Sequence, residues 1–176
     1  AILQSCDIYF YKTIQYYELD RLAQYFRLFG FGQITGIDIG KEHKGTIPNT
    51  AYMNRRYGRS GWSTGSLLNF CIGQGEILVT PIQVFHYTNL LATRGTANTP
   101  HLVSSIKKES EKEIPLAPQI WDRITFDMGQ VVSHSKGTGK NADPSIQGVD
   151  VYGKTGTAEN PHGEDHAWFI GWIQYK

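Results

Sequence analysis

An α+β fold is predicted by two patterns in the sequence: apolar residues at helical spacing recur between residues 7 and 133, and two apolar-rich strands close the chain at 148–159 and 166–175. With 176 residues the chain suits one domain rather than two. A domain of that size buries roughly 70% of the surface its unfolded chain exposes, so a real core is expected.

The elements follow in order. Ile8, Tyr11, Ile14 and Tyr17 define a first helix over 7–19. Asp20 is placed to cap a second helix with Leu22, Tyr25, Phe26 and Phe29 inside, closed by Gly30 in the left-handed position. Residues 30–66 are rich in Gly, Pro, Asn and Ser and show no sustained period, which reads as a long irregular excursion. Thr80-Pro81 is a sharp helix start, because the N–H that Pro lacks has no partner in a first turn anyway. That helix carries Ile82, Phe85, Asn89 and Leu90 and ends at Gly95. A short strand is expected over 102–106, a solvated charge run over 107–113 and a helix over 118–133. The two closing strands are joined by a polar loop holding Pro161 and Gly163. No internal repeat is visible.

Composition removes several functions. A formal charge of +1 gives no electrostatic case for nucleic acid or an anionic membrane. No stretch approaches the ~20 apolar residues of a membrane span, and no signal peptide opens the chain. Cys6 and Cys71 fit neither a disulfide framework nor a four-ligand zinc site, although a single bridge between them stays open. His162 and His166 are four apart across a loop rather than on one helical face, without further ligands at compatible spacing. His43, His86, His101 and His134 read as surface or satisfied interior residues. The chain starts inside Ala1-Ile2-Leu3 without an initiator Met and stops within a strand, so it is expected to be an excerpt of a longer protein.

Chemistry concentrates at two places. Near the C-terminus, Lys154-Thr155-Gly156-Thr157 puts an ammonium, two hydroxyls and a bare backbone at one sheet margin. Strand alternation sends Lys154 and Thr155 to opposite faces, so they must do different jobs. Gly156 lets a substrate backbone lie against this edge as an added strand. Near the N-terminus stands Ser5-Cys6-Asp7, which alone would be an ordinary helix cap.

Taken together and in this order, Ser5-x-Asp7 and Lys154-Thr155-Gly156 resemble the second and third motifs of penicillin-binding proteins and serine β-lactamases. The text between them is similar to the penicillin-binding family as well. The similarity runs through Ile8-Tyr9-Phe10-Tyr11, Phe29-Gly30-Phe31-Gly32, Thr35-Gly36-Ile37-Asp38 and Ile72-Gly73-Gln74-Gly75. It continues in Thr80-Pro81-Ile82-Gln83, Pro100-His101-Leu102-Val103 and His166-Ala167-Trp168-Phe169-Ile170-Gly171. Asp7 in the third position of the Ser-x-Asn motif favours the elongation-type class B branch, penicillin-binding protein 2.

This resemblance implies the family's five-stranded antiparallel sheet flanked by helices, of which residues 1–176 would supply the helical region and two central strands. It implies a parent D,D-transpeptidase that cross-links peptidoglycan stem peptides through an acyl-serine and reacts with β-lactams, without a cofactor. Ser5 would relay a proton, Asp7 would orient the cleft by hydrogen bonding, and Lys154 would polarise Ser5. Thr155 and Thr157 would grip a terminal carboxylate beside Gly156, and the Thr157 N–H would supply half of an oxyanion hole. The nucleophile belongs to a Ser-x-x-Lys element upstream of Ala1, so the 176 residues alone are expected to be inactive. Ser104-x-x-Lys107, Ser105-x-x-Lys108 and Ser133-x-x-Lys136 match that element only literally, because they follow Ser5 instead of preceding it. A non-catalytic penicillin sensor and a serine β-lactamase share the motifs and stand as alternatives. The parent is expected outside the cytoplasmic membrane, held by an N-terminal helix and working with a membrane glycosyltransferase. Residues 167–173 are apolar on both faces and read as a fully buried strand. With its neighbours absent, self-association through that strand or substitute packing of helices over it is expected.

Overall fold

The structure is a computed structural model and describes residues 1–104, 110–160 and 162–176, with the side chains of 110–112 left aside. The chain divides into two compact units. One comprises Ala1–Cys6, Thr88–Ala97 and Lys112–Lys176; the other comprises Asp7–Tyr87 and Asn98–Glu111. None of the helices among the described residues is long and apolar enough to cross a membrane.

The larger helical unit begins with α1 (Asp7–Ile14) and α2 (Leu19–Leu28). The first helix is shorter than its apolar pattern suggests. Tyr16 and Tyr17 bond back three residues, to the carbonyls of Thr13 and Ile14, and this tightening ends the helical run. Asp20 does not cap α2: Glu18 holds that position, and the Asp20 carboxylate accepts from the Thr50 N–H at 2.7 Å. Gly30 closes the helix at φ +91°, where a side chain would be strained.

The segment read as irregular contains a helix. Asn49 accepts from the Tyr52 N–H at 2.8 Å and starts α3 (Thr50–Tyr57), and Ser63 starts α4 (Thr64–Phe70). These caps sit in Gly- and Asn-rich text, where short helices lack the length to show a period. Ile14, Leu19, Met53, Leu67 and Phe70 form one buried cluster. Ala23, Phe31 and Ile47 form another, lined by Phe26, Phe29 and Tyr87. The rings of Phe31 and Tyr87 lie 5.2 Å apart, and burial pushes the Tyr87 phenol up from its ordinary value.

Helix α5 (Pro81–Ala92) opens with a reciprocal box. Thr80 Oγ1 accepts from the Gln83 N–H at 3.3 Å, while Gln83 Oε1 accepts from the Thr80 N–H at 3.0 Å. Gln83 is 1% exposed, and its Nε2 donates to the carbonyls of Gln33 at 2.6 Å and Lys44 at 2.9 Å. One buried amide thus satisfies the backbone of the irregular stretch that precedes α3. Thr46 and Leu78 exchange both backbone bonds beside it.

The strand expected at 102–106 is not formed by its described residues. Asp38 takes the N–H groups of Leu102 at 2.7 Å and Val103 at 2.9 Å with its two carboxylate oxygens, which removes those donors from any ladder. Residues 105 and 106, and residues 107–109 of the charge run, lie outside the described residues. The short strands are instead β1 (Thr96–Asn98) and β2 (Ser110–Glu113), which pair.

The other unit is built on α6 (Pro118–Ser133), with Pro118 in its first turn and Trp121, Met128, Val131 and Val132 buried. Gly95 follows α5 at φ +98°, and a Cβ there would come within 2.8 Å of the Trp121 ring. Helix α6 lies on β3 (Val149–Ala158), which pairs antiparallel with β4 (His166–Tyr175) from Val149↔Tyr175 to Ala158↔His166. Tyr152 stacks on Trp172 at 5.1 Å between ring centroids, and Gly129 of α6 leaves room for the Tyr152 ring. Two glycines face each other at Gly153↔Gly171. A Cβ on Gly153 would sit 2.3 Å from the Phe169 ring, so the bare strand is what lets that ring cross it.

Strand β4 corrects the expectation of a buried strand. Trp168, Phe169, Ile173 and Tyr175 are 43%, 44%, 56% and 78% exposed. Among the described residues β4 pairs only with β3, and no layer of helices replaces a second covering. The expected substitute packing is therefore not adopted.

Two outcomes follow for stability. In the complete gene product, Gln83→Ala strips partners from two carbonyls and one N–H and is expected to destabilise by about 2 kcal/mol, read by thermal unfolding. Asp38 is held below the ordinary carboxylate range, first by the N–H of Leu102 and then by that of Val103. Its contribution is present above the unfolded carboxylate value and fades as pH falls through the lower folded one. Urea unfolding of Asp38→Asn should therefore lose less stability than the wild type between neutral and strongly acid pH.

Candidate active site

The chain's first residues form a single 3-10 turn, Ile2–Gln4, ending at Ser5. Ser5 has φ +49° and ψ +53°, a left-handed conformation that costs a non-glycine residue roughly 1–2 kcal/mol. Two backbone bonds hold it there: Ser5 N–H to Ile2 O at 3.2 Å, and Cys6 N–H to Ala1 O at 3.1 Å. The turn packs against α6, and Leu3 O accepts from the Thr138 N–H at 3.3 Å. Ser5 thus caps the C-terminal end of this turn rather than the start of α1. Its hydroxyl is turned to another part of the unit.

That part is Lys154 of β3. The Lys154 ammonium donates to Ser5 Oγ, across 149 residues of sequence, and to the Thr155 carbonyl at 2.7 Å. Lys154 is half-buried, between Gly153, which is buried, and Thr155. A Lys ammonium carries three donors and no acceptor, so the serine oxygen must accept and its own proton is left to point elsewhere. A serine held in this way can pass a proton to a third group while the cation stabilises the oxygen left behind.

Thr155 takes a different partner from Lys154, as their alternation requires. Its hydroxyl lies 2.7 Å from that of Thr138, in the loop after α6. Gly156 and Thr157 are exposed near the end of β3, and a Cβ on Gly156 would meet only the Trp168 Cβ at 3.8 Å. The margin beside Gly156 is open to an extended chain. Asn160 organises the turn that follows, accepting from the His162 N–H at 3.0 Å and giving its own N–H to Asp165 at 3.2 Å.

Asp7 follows Ser5 by two residues. It is the exposed first residue of α1, where a carboxylate suits the positive end of the helix, and it belongs to the other unit. Among the described residues its carboxylate accepts no hydrogen bond. Within its unit it adds to the upward shift of the Cys71 thiol, which burial drives first. Both cysteines are free.

Of the three literal Ser-x-x-Lys matches, only Ser133-x-x-Lys136 lies wholly within the described residues. The Ser133 hydroxyl donates to Gly129 O at 3.0 Å within α6. Ser104 is exposed in a turn, and its partner Lys107 lies outside the described residues, as do Ser105 and Lys108. Among the described residues no three His, Cys, Asp or Glu side chains converge on a point that could hold a metal ion. Sequence reasoning passed over Thr138 and Gly153. Gly137-Thr138-Gly139 after a helix was the available signal for the first, and Gly153 adjoining Lys154 was the signal for the second.

Known proteins similar to this chain fall in one family. The whole chain, residues 1–176, matches the penicillin binding protein transpeptidase domain. The peptidoglycan D,D-transpeptidase MrdA of Haemophilus influenzae is 34% identical over 200 residues, covering 99% of this chain and 30% of that protein. The MrdA of Acinetobacter baumannii is 32% identical, over 90% of this chain and 24% of its own length. Among solved structures, Pseudomonas aeruginosa PBP2 in complex with WCK 5153 superposes with a TM-score of 0.86 at 34% identity, over 98% of this chain and 40% of that one. Helicobacter pylori PBP2 in complex with MreC gives 0.86 at 32% identity, over 97% and 32%. The chain thus spans well under half the length of each of these relatives.

Proposed function

The chain belongs to the penicillin-binding protein transpeptidase family, and from that membership we propose that it is the part of a peptidoglycan D,D-transpeptidase that carries the second and third active-site motifs. The observation that supports this most directly is the hydrogen bond from Lys154 to Ser5 beside the open Gly156 margin. The α+β architecture and the relatives both agree with the family expected from the sequence, and the transpeptidase names favour that activity over a sensor or a β-lactamase.

In this reading a serine outside these 176 residues attacks the carbonyl between two terminal D-alanines. The lysine of that serine's Ser-x-x-Lys element takes the nucleophile's proton as the C–O bond forms, and the C–N bond breaks. Ser5 passes a proton to the departing amine while Lys154 steadies the serine oxygen. An acceptor amine then attacks the ester, loses its proton and releases the nucleophile. Thr155 and Thr157 bind the substrate's terminal carboxylate, and the Thr157 N–H contributes to an oxyanion hole. Asp7 is proposed to join the cleft in the complete domain. A β-lactam follows the first half of this course and stays attached as an acyl-serine.

The supporting relatives extend the proposal to setting. Helicobacter pylori PBP2 was solved with MreC, and another relative belongs to a peptidoglycan synthase complex. We place the parent at the extracytoplasmic face of the inner membrane, anchored by an N-terminal helix and paired with a membrane glycosyltransferase. The exposed β4 favours self-association of the segment when isolated.

The test is Lys154→Ala in the complete gene product, followed by labelling with a fluorescent penicillin. Acylation should slow by about a hundredfold or more, since a lost proton-transfer partner costs on the order of 10²–10⁴ in rate. The melting temperature should hardly move. Equal labelling rates in variant and wild type would overturn the assignment.

A further inference from the structure

We propose that Thr138 is a positioning residue: its hydroxyl sets that of Thr155 to donate to the anionic group of a ligand at the open end of β3. This rests on the functional reading above, in which Thr155 meets a carboxylate.

The loop that carries Thr138 is built for a fixed place. After α6 ends at Ser133, Gly137 N–H returns to His134 O at 2.8 Å, and Gly139 N–H to Val131 O at 3.0 Å. A Cβ on Gly137 would lie 2.2 Å from Val131 O, and one on Gly139 would lie 3.0 Å from Val131 Cγ1 and 3.2 Å from the Phe169 ring. Close approach to backbone demands glycine at 137 and tight side-chain packing favours it at 139, and Thr138 between them holds the only side chain of the three. Its backbone N–H donates to Leu3 O at 3.3 Å, two residues before Ser5. Its hydroxyl reaches Thr155 Oγ1 at 2.7 Å. One residue therefore touches the turn that presents Ser5 and the strand that presents Lys154 and Thr155.

Proton counting gives the direction. A threonine hydroxyl has one proton to donate and two lone pairs to accept with. An anion can only accept, so Thr155 must turn its proton to the ligand. Its oxygen then accepts from Thr138, and the chain Thr138→Thr155→anion polarises in one sense. Without the Thr138 hydroxyl, Thr155 loses the donor that holds this rotamer. Valine at 138 has nearly the same shape as threonine and lacks the donor, and serine keeps the donor.

The experiment measures the second-order rate of acylation by a fluorescent penicillin in the complete gene product, with thermal unfolding alongside. Thr138→Val and Thr138→Ala should each slow acylation about tenfold, and Thr138→Ser should stay within about twofold of wild type. The double variant Thr138→Val/Thr155→Val should be no slower than Thr155→Val alone, because Thr138 acts through Thr155. A wild-type rate in Thr138→Val, a serine variant as slow as the valine one, or losses that multiply in the double variant would each overturn the inference. If the wild type itself takes no label, the transpeptidase reading fails and carries this inference with it.

Discussion

A lysine ammonium resting on a serine oxygen is the contact that brings the chain's two motifs together in the first unit. Such a cation loses hydration when it is half-buried, and neutral oxygens must replace the lost water. Ser5 and the Thr155 carbonyl do so. The serine can serve only because it sits in a left-handed turn, an unfavourable backbone state that two local hydrogen bonds and the packing on α6 sustain. The strain lies at the residue whose hydroxyl has to face the sheet.

Placing Lys154 is the work of its neighbours on the strand. Gly153 and Gly171 face each other, and their missing side chains let the Phe169 ring lie across β3, where it also meets Gly139. Tyr152 stacks on Trp172 and fits against Gly129 of α6. These contacts give β3 one position against the helix, and the lysine inherits it. In the second unit the buried Gln83 amide does comparable work for a stretch with little regular structure, replacing the bonds that a helix or sheet would have provided.

Much of the architecture was legible from local chemistry. Thr80-Pro81 marks a helix start because a hydroxyl acceptor and a missing N–H suit a first turn, and Gly30 marks an end because only glycine tolerates its φ easily. Helix α3 was hidden because its start depends on one Asn49 side chain rather than on a repeating apolar face. The expected strand at 102–106 failed, over the residues described, through a distant partner: Asp38 takes the N–H groups of Leu102 and Val103 from 64 and 65 residues away. The exposure of β4 likewise turns on what pairs with it, which its apolar composition does not specify.

The order and identity of Ser5-x-Asp7 and Lys154-Thr155-Gly156-Thr157, set in text similar throughout to one family, were enough by themselves to determine the family and the chemistry to look for. Motifs of this kind are local, because each needs only particular side chains at fixed spacing. Tertiary structure alone decided that Ser5 and Lys154 touch, that Thr138 joins Thr155, and that Asp7 belongs to a different unit from both. Contacts between residues so far apart in the chain depend on how helices, turns and strands pack, and packing is a property of the whole fold that no short window of sequence contains.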